Sequence, residues 1–370
     1  MGGRARYLYA GGNTALGFYS HYDHVTVGHA ARLWIIKGGP GVGKSTFVRA
    51  IGEELRAKGF DVEYFCCSSD NDSFDGVRIP ALDIALVDGT APHIIEPKFP
   101  GAVDELLDLG AYWDEAGIRS HRDAIIAKTP EVSRHFARAY RFLAAAKHIY
   151  DDISATNTEA LDFGAANQTA HTLIEAIFSD RPVSPQPGIE RHLFASAITP
   201  RGPVHHLDNL FGPVKRKWII EGEPGTGKST LLAKIARASV ERGLYTEVFH
   251  CAFNPVAIDH VLIPELDAAV VTSTPPHTYF AADARRIDMN TCRDDTKVRR
   301  HAGMLADQRA LFDDLLQRAV SCLAQAKEEY QVLESYYVKH MDFERIAALR
   351  QKIVARIWQH AKEQGIMQPS

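Results

Sequence analysis

Two stretches decide how this chain folds: Trp34-Ile35-Ile36-Lys37 followed by GGPGVGKST (Gly38 to Thr46), and Trp218-Ile219-Ile220-Glu221 followed by GEPGTGKST (Gly222 to Thr230). Each runs from an apolar strand-like segment through a glycine-rich turn into residues with helical spacing. The pattern G-x-x-x-x-G-K-[ST] has a physical reason at every fixed position. Glycines let the backbone bend so that successive N–H groups point inward and cradle phosphate. The helix that opens at the lysine adds its positive N-terminal end to the same anion site. Lys44 and Lys228 are expected at the β- and γ-phosphates, with the hydroxyls of Ser45 and Ser229 on Mg²⁺. The expected cradle is Gly38, Gly39, Pro40, Gly41, Val42, Gly43, Lys44, Ser45 and Thr46 in the first loop. In the second it is Gly222, Glu223, Pro224, Gly225, Thr226, Gly227, Lys228, Ser229 and Thr230.

Working outward, the two loops belong to a duplication with an offset of 184 residues that holds without a gap from Trp34 to His93. Roughly 25 of about 60 positions are identical there, which marks a true internal repeat. Ile79 to Asp83 (IPALD) mirrors Ile263 to Asp267 (IPELD), and Thr90, Pro92 and His93 mirror Thr274, Pro276 and His277. Further on, Asp162-Phe163 matches Asp342-Phe343. The Pro-rich stretch 179–188 reads as a linker, so the repeats are expected to span 1–184 and 185–370. In each, strands are expected over 33–37, 62–67 and 82–87 (217–221, 246–251 and 266–271 in the second repeat). Helices are expected over 44–58 and 228–242, closed by Gly59 and Gly243. From about Ala102 and Ala282 onward the Ala, Leu, Arg and Glu content has helical spacing. The predicted fold class is α/β: two tandem P-loop NTPase units, each a mainly parallel sheet with a helical C-terminal layer.

A phosphate site of this kind also needs a carboxylate at the end of a neighbouring strand. Ile84-Ala85-Leu86-Val87-Asp88 has that form, and the aligned position in the second repeat is Thr272. Asp88 is therefore a candidate metal-site and catalytic residue of the first repeat alone. Asp75 and Asp259 are expected in the loop after the second strand, on the phosphate side, as metal-site or water-orienting groups or as turn residues. Asp83 and Asp267 begin the third strand at the far end and read as structural. His93 and His277 either sense the γ-phosphate or cap a shared Pro-containing turn. Arg119 and Arg299 are candidate arginine fingers, although an exposed helix-layer arginine is the ordinary case. His21, Asp23 and His24 read as part of a helix start more readily than as metal ligands, and Cys67 and Cys251 as small core residues.

Composition narrows the function classes. A formal net charge of −4, from 42 basic and 46 acidic residues, lacks the basic surplus of a nucleic-acid binder. No run approaches the ~20 apolar residues of a membrane helix. Five cysteines without CxxC spacing point to reduced thiols and a cytoplasmic setting. Neither loop is followed by Asn-Lys-x-Asp, so ATP is favoured over GTP.

Through its two loops, DGTAPH (Asp88 to His93) and FASAITPRG (Phe194 to Gly202), the chain resembles a family of uncharacterised bacterial tandem P-loop ATPases over nearly its whole length. A weaker likeness is to the RecA-like group, carried by Thr199, Gly202, Leu207 and Asp208 ahead of the second loop. The chain departs from that group where Ser68-Ser69 and Ala252-Phe253 replace an acidic pair. The resemblance implies ATP binding. Together these features lead us to expect a two-site ATPase with ATP and Mg²⁺ as its ligands and Lys44, Asp88, Asp75, Lys228 and Asp259 as candidate catalytic residues. The first site is expected to hydrolyse and the second to bind or regulate. The alternatives are a small-molecule or nucleotide kinase and a non-hydrolysing scaffold. Protein partners are unspecified, and the repeat leaves room for pairing into an oligomer.

Overall fold

A computed structural model of the chain describes residues 2–366. The first repeat contributes β1 (Ala5–Leu8), β2 (Gly11–Thr14), β3 (Gly17–Ser20), β4 (Arg32–Lys37), α1 (Lys44–Ala57), β5 (Val62–Cys66), β6 (Phe74–Ile79), β7 (Ile84–Asp88) and β8 (Asp104–Asp108). Three helices follow: α2 (Glu115–Arg119), α3 (Arg122–Glu159) and α4 (Phe163–Phe178). The second repeat contributes β9 (Glu190–Phe194), β10 (Ser196–Thr199), β11 (Gly202–His205), α5 (Leu207–Phe211), β12 (Arg216–Glu221), α6 (Lys228–Val240) and β13 (Thr246–His250). It closes with β14 (Ile258–Ile263), β15 (Ala268–Thr272), β16 (Arg285–Asp288), α7 (Asp295–Arg299), α8 (Ala302–Val338) and α9 (Phe343–Glu363).

Each repeat builds a six-stranded sheet with the same order, β1-β5-β6-β7-β4-β8 and β9-β13-β14-β15-β12-β16. All neighbours pair parallel except those of β6 and β14, which run antiparallel to both sides. The α/β class with two mainly parallel sheets is therefore as expected. The strand carrying each glycine-rich loop is apolar because both faces are covered: Trp34, Ile35 and Ile36, and Trp218, Ile219 and Ile220, are all buried.

Several elements differ from the sequence reading. The segments after Ala102 and Ala282 do not start as helix. They first supply β8 and β16, which pair with β4 and β12, and the helices begin at Glu115 and Asp295. β7 starts at Ile84, two residues later than expected, because Pro80–Leu82 forms a 3-10 turn and Asp83 takes a left-handed φ of 51°. Asp267 does the same at 46°. Asp75 and Asp259 lie in β6 and β14, not in loops. Their strands run antiparallel to their neighbours, so their N-terminal ends reach the end of the sheet that carries the glycine-rich loops.

The chain divides into two compact units that do not follow the sequence repeats. Among the described residues, one holds 2–11, 20–137 and 322–366; the other holds 12–19 and 138–321. In the first unit, Ile346, Ile353, Val354, Ile357 and Ala361 of α9 join the core built on β4 and α1. In the second, Ala170, Leu173, Ile177 and Phe178 of α4 join the core built on β12 and α6. Each core thus takes its covering helix from the other repeat. Helix length accounts for this: α3 has 38 residues, ~57 Å at ~1.5 Å per residue, and it passes from one unit to the other at Arg138. The stretch 179–188, expected as a linker, is docked within the second unit. Ser184 N donates to Glu241 O (2.9 Å) and Gly188 N to Val240 O (2.8 Å). Residue 185 separates the repeats in sequence, not the compact units.

Candidate functional site

In the first unit β4 ends at Lys37, the loop turns through Gly38 to Gly43, and α1 starts at Lys44. Gly38, Gly41 and Gly43 have φ of 149°, 67° and 88°, and Gly222, Gly225 and Gly227 have 146°, 84° and 87°. Side-chain-bearing residues resist these values. Space excludes a side chain as well: a Cβ on Gly38 would stand 2.8 Å from Val42 Cγ2, and one on Gly222 2.7 Å from Thr226 Oγ1. The two loops are the same cradle built twice.

The lysines fold back over their own loops. Lys44 Nζ donates to the carbonyls of Gly38 (3.1 Å) and Gly39 (3.0 Å), and Lys228 Nζ to those of Gly222 (2.6 Å) and Glu223 (2.8 Å). Ser45 Oγ accepts from Phe74 N and Ser229 Oγ from Ile258 N, both at 2.8 Å. These bonds tie each helix start to the antiparallel strand that carries Asp75 or Asp259.

Beside the loops the units diverge. In the first, Asp88 pairs in register with Ile36 of β4, and its Oδ2 lies 3.7 Å from Lys44 Nζ. Asp88 Oδ1 is held by Thr90 N (2.8 Å) and Thr90 Oγ1 (2.6 Å). The strand end thus brings a fixed carboxylate to the loop lysine. Next to it lies a buried group in which one ligand atom each from Cys67, Asp75 and His93 fall within 4.8 Å of one another. Tyr22 donates its hydroxyl to Asp75 Oδ2 (3.0 Å), and His93 Nε2 is 3.5 Å from the same oxygen. Burial and the nearby Asp88 charge push the Asp75 carboxyl upward, against the opposing pull of His93, and burial pushes the Cys67 thiol well up. Cysteine, carboxylate and imidazole are groups that Zn²⁺ accepts. Here, however, Tyr22 and Cys67 both hydrogen-bond Asp75, and the arrangement is a buried polar network that fixes the strand ends around Asp88.

In the second unit the position of Asp88 is taken by Thr272, which pairs with Ile220 and donates its N–H to His260 Nδ1 (3.2 Å). Burial lowers His260 to about 3 and His277 to about 4, with the neighbouring His205 adding to both. The carboxylate of the first unit is replaced by neutral imidazole. Asp259 is hydrogen-bonded by Cys251 and raised to about 6 by burial, and burial lowers Lys228 to about 8.

A helix end lies over each loop, which the sequence reading did not foresee. In the first unit, a Cβ on Gly41 would meet Val338 Cγ2 at 2.7 Å and Glu334 O at 3.0 Å, and one on Gly39 would meet Tyr337 at 3.2 Å. In the second, Thr158 Oγ1 donates to Gly225 O (3.0 Å). The helix turns following these ends, Met341-Asp342-Phe343 and Leu161-Asp162-Phe163, are among the residues the repeats share at Asp-Phe. That identity was the available signal. Arg119 sits on α2, exposed and paired with Glu115 (2.8 Å), and Arg299 ends α7. His93 N and His277 N close tight turns onto Thr90 O (2.7 Å) and Thr274 O (2.9 Å). Tyr22 and His24 form a short 3-10 turn, where a helix start was expected. Among the described residues, no helix is long and apolar enough to cross a membrane.

A family model described as Nephrocystin 3, N-terminal, matches residues 20–78, a stretch that covers the first loop, α1, β5 and nearly all of β6. No curated protein and no solved structure matches the chain.

Proposed function

We propose that the chain is an ATP-binding protein with two nucleotide sites, which hydrolyses ATP at the first loop and holds nucleotide at the second. The observation that carries this reading is the pair Lys44–Asp88 at 3.7 Å, set against Thr272 at the matching strand end of the second unit. The loop amides and Lys44 would stabilise the charge that develops as water attacks the γ-phosphate in line. Mg²⁺, when bound, would neutralise phosphate charge. Ser45 Oγ and Asp88 fit it in the first site, and Ser229 Oγ is the matching group in the second. Asp75 acts by position, its buried network holding the strand ends, while Asp259 holds the same place in the second unit. On this reading the chain would belong with the tandem P-loop ATPases that its sequence resembles.

The test is phosphate release from Mg-ATP by the wild type with no acceptor present. Steady release supports the ATPase. Turnover only when a hydroxyl-bearing acceptor is supplied would replace it with a kinase. A rise in melting temperature with nucleotide but no turnover under either condition would leave a nucleotide-stabilised scaffold.

A further inference from the structure

The nucleotide reading leaves the base without a partner, and the first unit has a place for it. β4 lies between β7 and β8 in the sheet. Asp88, at the end of β7, marks one flank of the loop as the phosphate and metal side. The other flank is the chain that leaves β8: the 3-10 turn Leu109–Tyr112 and then Trp113.

Aromatic rings border the loop on that flank. Trp113 Cζ3 lies 3.5 Å from the Cβ position of Gly39, and Phe343 Cε1 lies 3.4 Å from that of Gly43. Both rings are unusually open for their type, Trp113 at 38% and Phe343 at 45% exposure. Trp113, but not Phe343, lines an open cavity of about 360 Å³ together with Tyr112, Asp114, His340, Asp342 and Arg345 among others, within the ~300–1,000 Å³ of small-molecule sites. The Arg345 guanidinium stands 5.0 Å over the Tyr112 ring, a flat cationic shelf at one wall. The geometry is fixed by backbone bonds: Asp342 N donates to Tyr112 O (2.8 Å) and Asp114 N to His340 O (2.7 Å). Trp113 and Met341 form an isolated β-bridge between these bonds.

We infer that this cavity is the base-binding half of the first nucleotide site, with Trp113 stacking on a purine and Arg345 closing its edge. The inference rests on the nucleotide reading above. It also gives the helix exchange a purpose, because His340, Asp342 and Arg345 come from the second repeat while the phosphate loop comes from the first.

The second unit repeats the frame but not the stack. Asp162 N donates to Cys292 O (2.7 Å) and Asp294 N to Ala160 O (2.8 Å), and Leu161 bridges Arg293. Phe163 is exposed in the same way. The residue in the place of Trp113 is Arg293, whose guanidinium is bonded to Asn157 Oδ1 and Asp295 Oδ1. One aromatic face is missing there.

The experiment is calorimetric titration of the full chain carrying Lys228→Ala, which silences the second loop, with Mg-ATP and separately with Mg-tripolyphosphate. Base–aromatic stacking of ~1–3 kcal/mol predicts about 10-fold weaker ATP binding for Trp113→Ala. Tripolyphosphate affinity should stay unchanged, and Trp113→Phe should retain ATP affinity because a ring face is kept. Unchanged ATP binding in Trp113→Ala would overturn the inference. So would equal weakening of ATP and tripolyphosphate, since the ring would then only shape the loop. If the chain with Trp113 intact binds neither ligand, the nucleotide reading itself falls and the base site with it.

Discussion

The two compact units share a cradle and differ in what stands next to it. Glycine geometry, lysine position and the serine bond to the adjacent strand repeat almost atom for atom. Beside Lys44 stands the strand-end carboxylate Asp88, whereas the matching strand end of the second unit holds Thr272 bonded to His260, and the acidic charges acting on Lys228 are those of Asp259 and Glu223. The first unit presents an aromatic wall at Trp113, and the second an ion-paired Arg293. On the proposed reading, duplication has kept the groups that would hold phosphate and changed the groups that would act on it. Because each sheet borrows its covering helix from the other repeat, neither sequence half contains a complete unit.

The largest expected effect tests that exchange. Ile357 and Ile177 are buried in the cores of the first and second unit, yet each comes from the opposite repeat. Truncation to alanine should cost about 2–5 kcal/mol in each case. By hydrogen exchange, Ile357→Ala should loosen β4 and β7, and Ile177→Ala should loosen β12 and β15. The reverse pattern would break the assignment of helices to units. Next in size is Asp88→Asn, which should lower turnover about 10²-fold, the scale of losing one group that stabilises transition-state charge, with ATP still bound. Thr272→Ala should change turnover less than about twofold. Equal losses would erase the asymmetry.

Two smaller effects sharpen the electrostatic side. Asp259 is raised from 3.8 to about 6, so between about pH 4 and 6 the folded state holds more protons than the unfolded state. Stability therefore falls as pH rises through that window, and the cost is complete above it. Asp259→Asn should stabilise the protein by on the order of 2 kcal/mol above pH 6, and the gain should vanish below about pH 4 in thermal melts. Lys228, lowered to about 8, must take up a proton to meet phosphate at higher pH. Nucleotide affinity at the second site, measured in a Lys44→Ala background, should fall about tenfold between pH 7.5 and 9. A flat profile there would mean that nucleotide binding does not draw on the Lys228 charge.

Much of this was legible in the sequence because it is local. A strand, a glycine turn and a helix start occupy adjacent residues, and the repeat confirms them. Asp88 was legible for the same reason, at the end of a run of four apolar residues. β8 and β16 were not, since Asp-Glu-Leu-Leu-Asp and Arg-Arg-Ile-Asp are edge strands with too little apolar alternation to stand out. β6 and β14 escaped because Phe74-Asp75-Gly76 interrupts the apolar pattern with the very carboxylate that is buried. The helix exchange could not be read at all. The apolar stripe of α9, with Ile346, Ile353, Val354 and Ile357, states that it covers a core but not whose. Only contacts distant in sequence, such as Arg356 with Glu105, settle that.

The most direct measurement is steady-state phosphate release from Mg-ATP by the wild type, Lys44→Ala and Lys228→Ala side by side. The account predicts that turnover is lost in Lys44→Ala and survives within several-fold in Lys228→Ala. Equal loss in the two variants, or loss in Lys228→Ala alone, would contradict it.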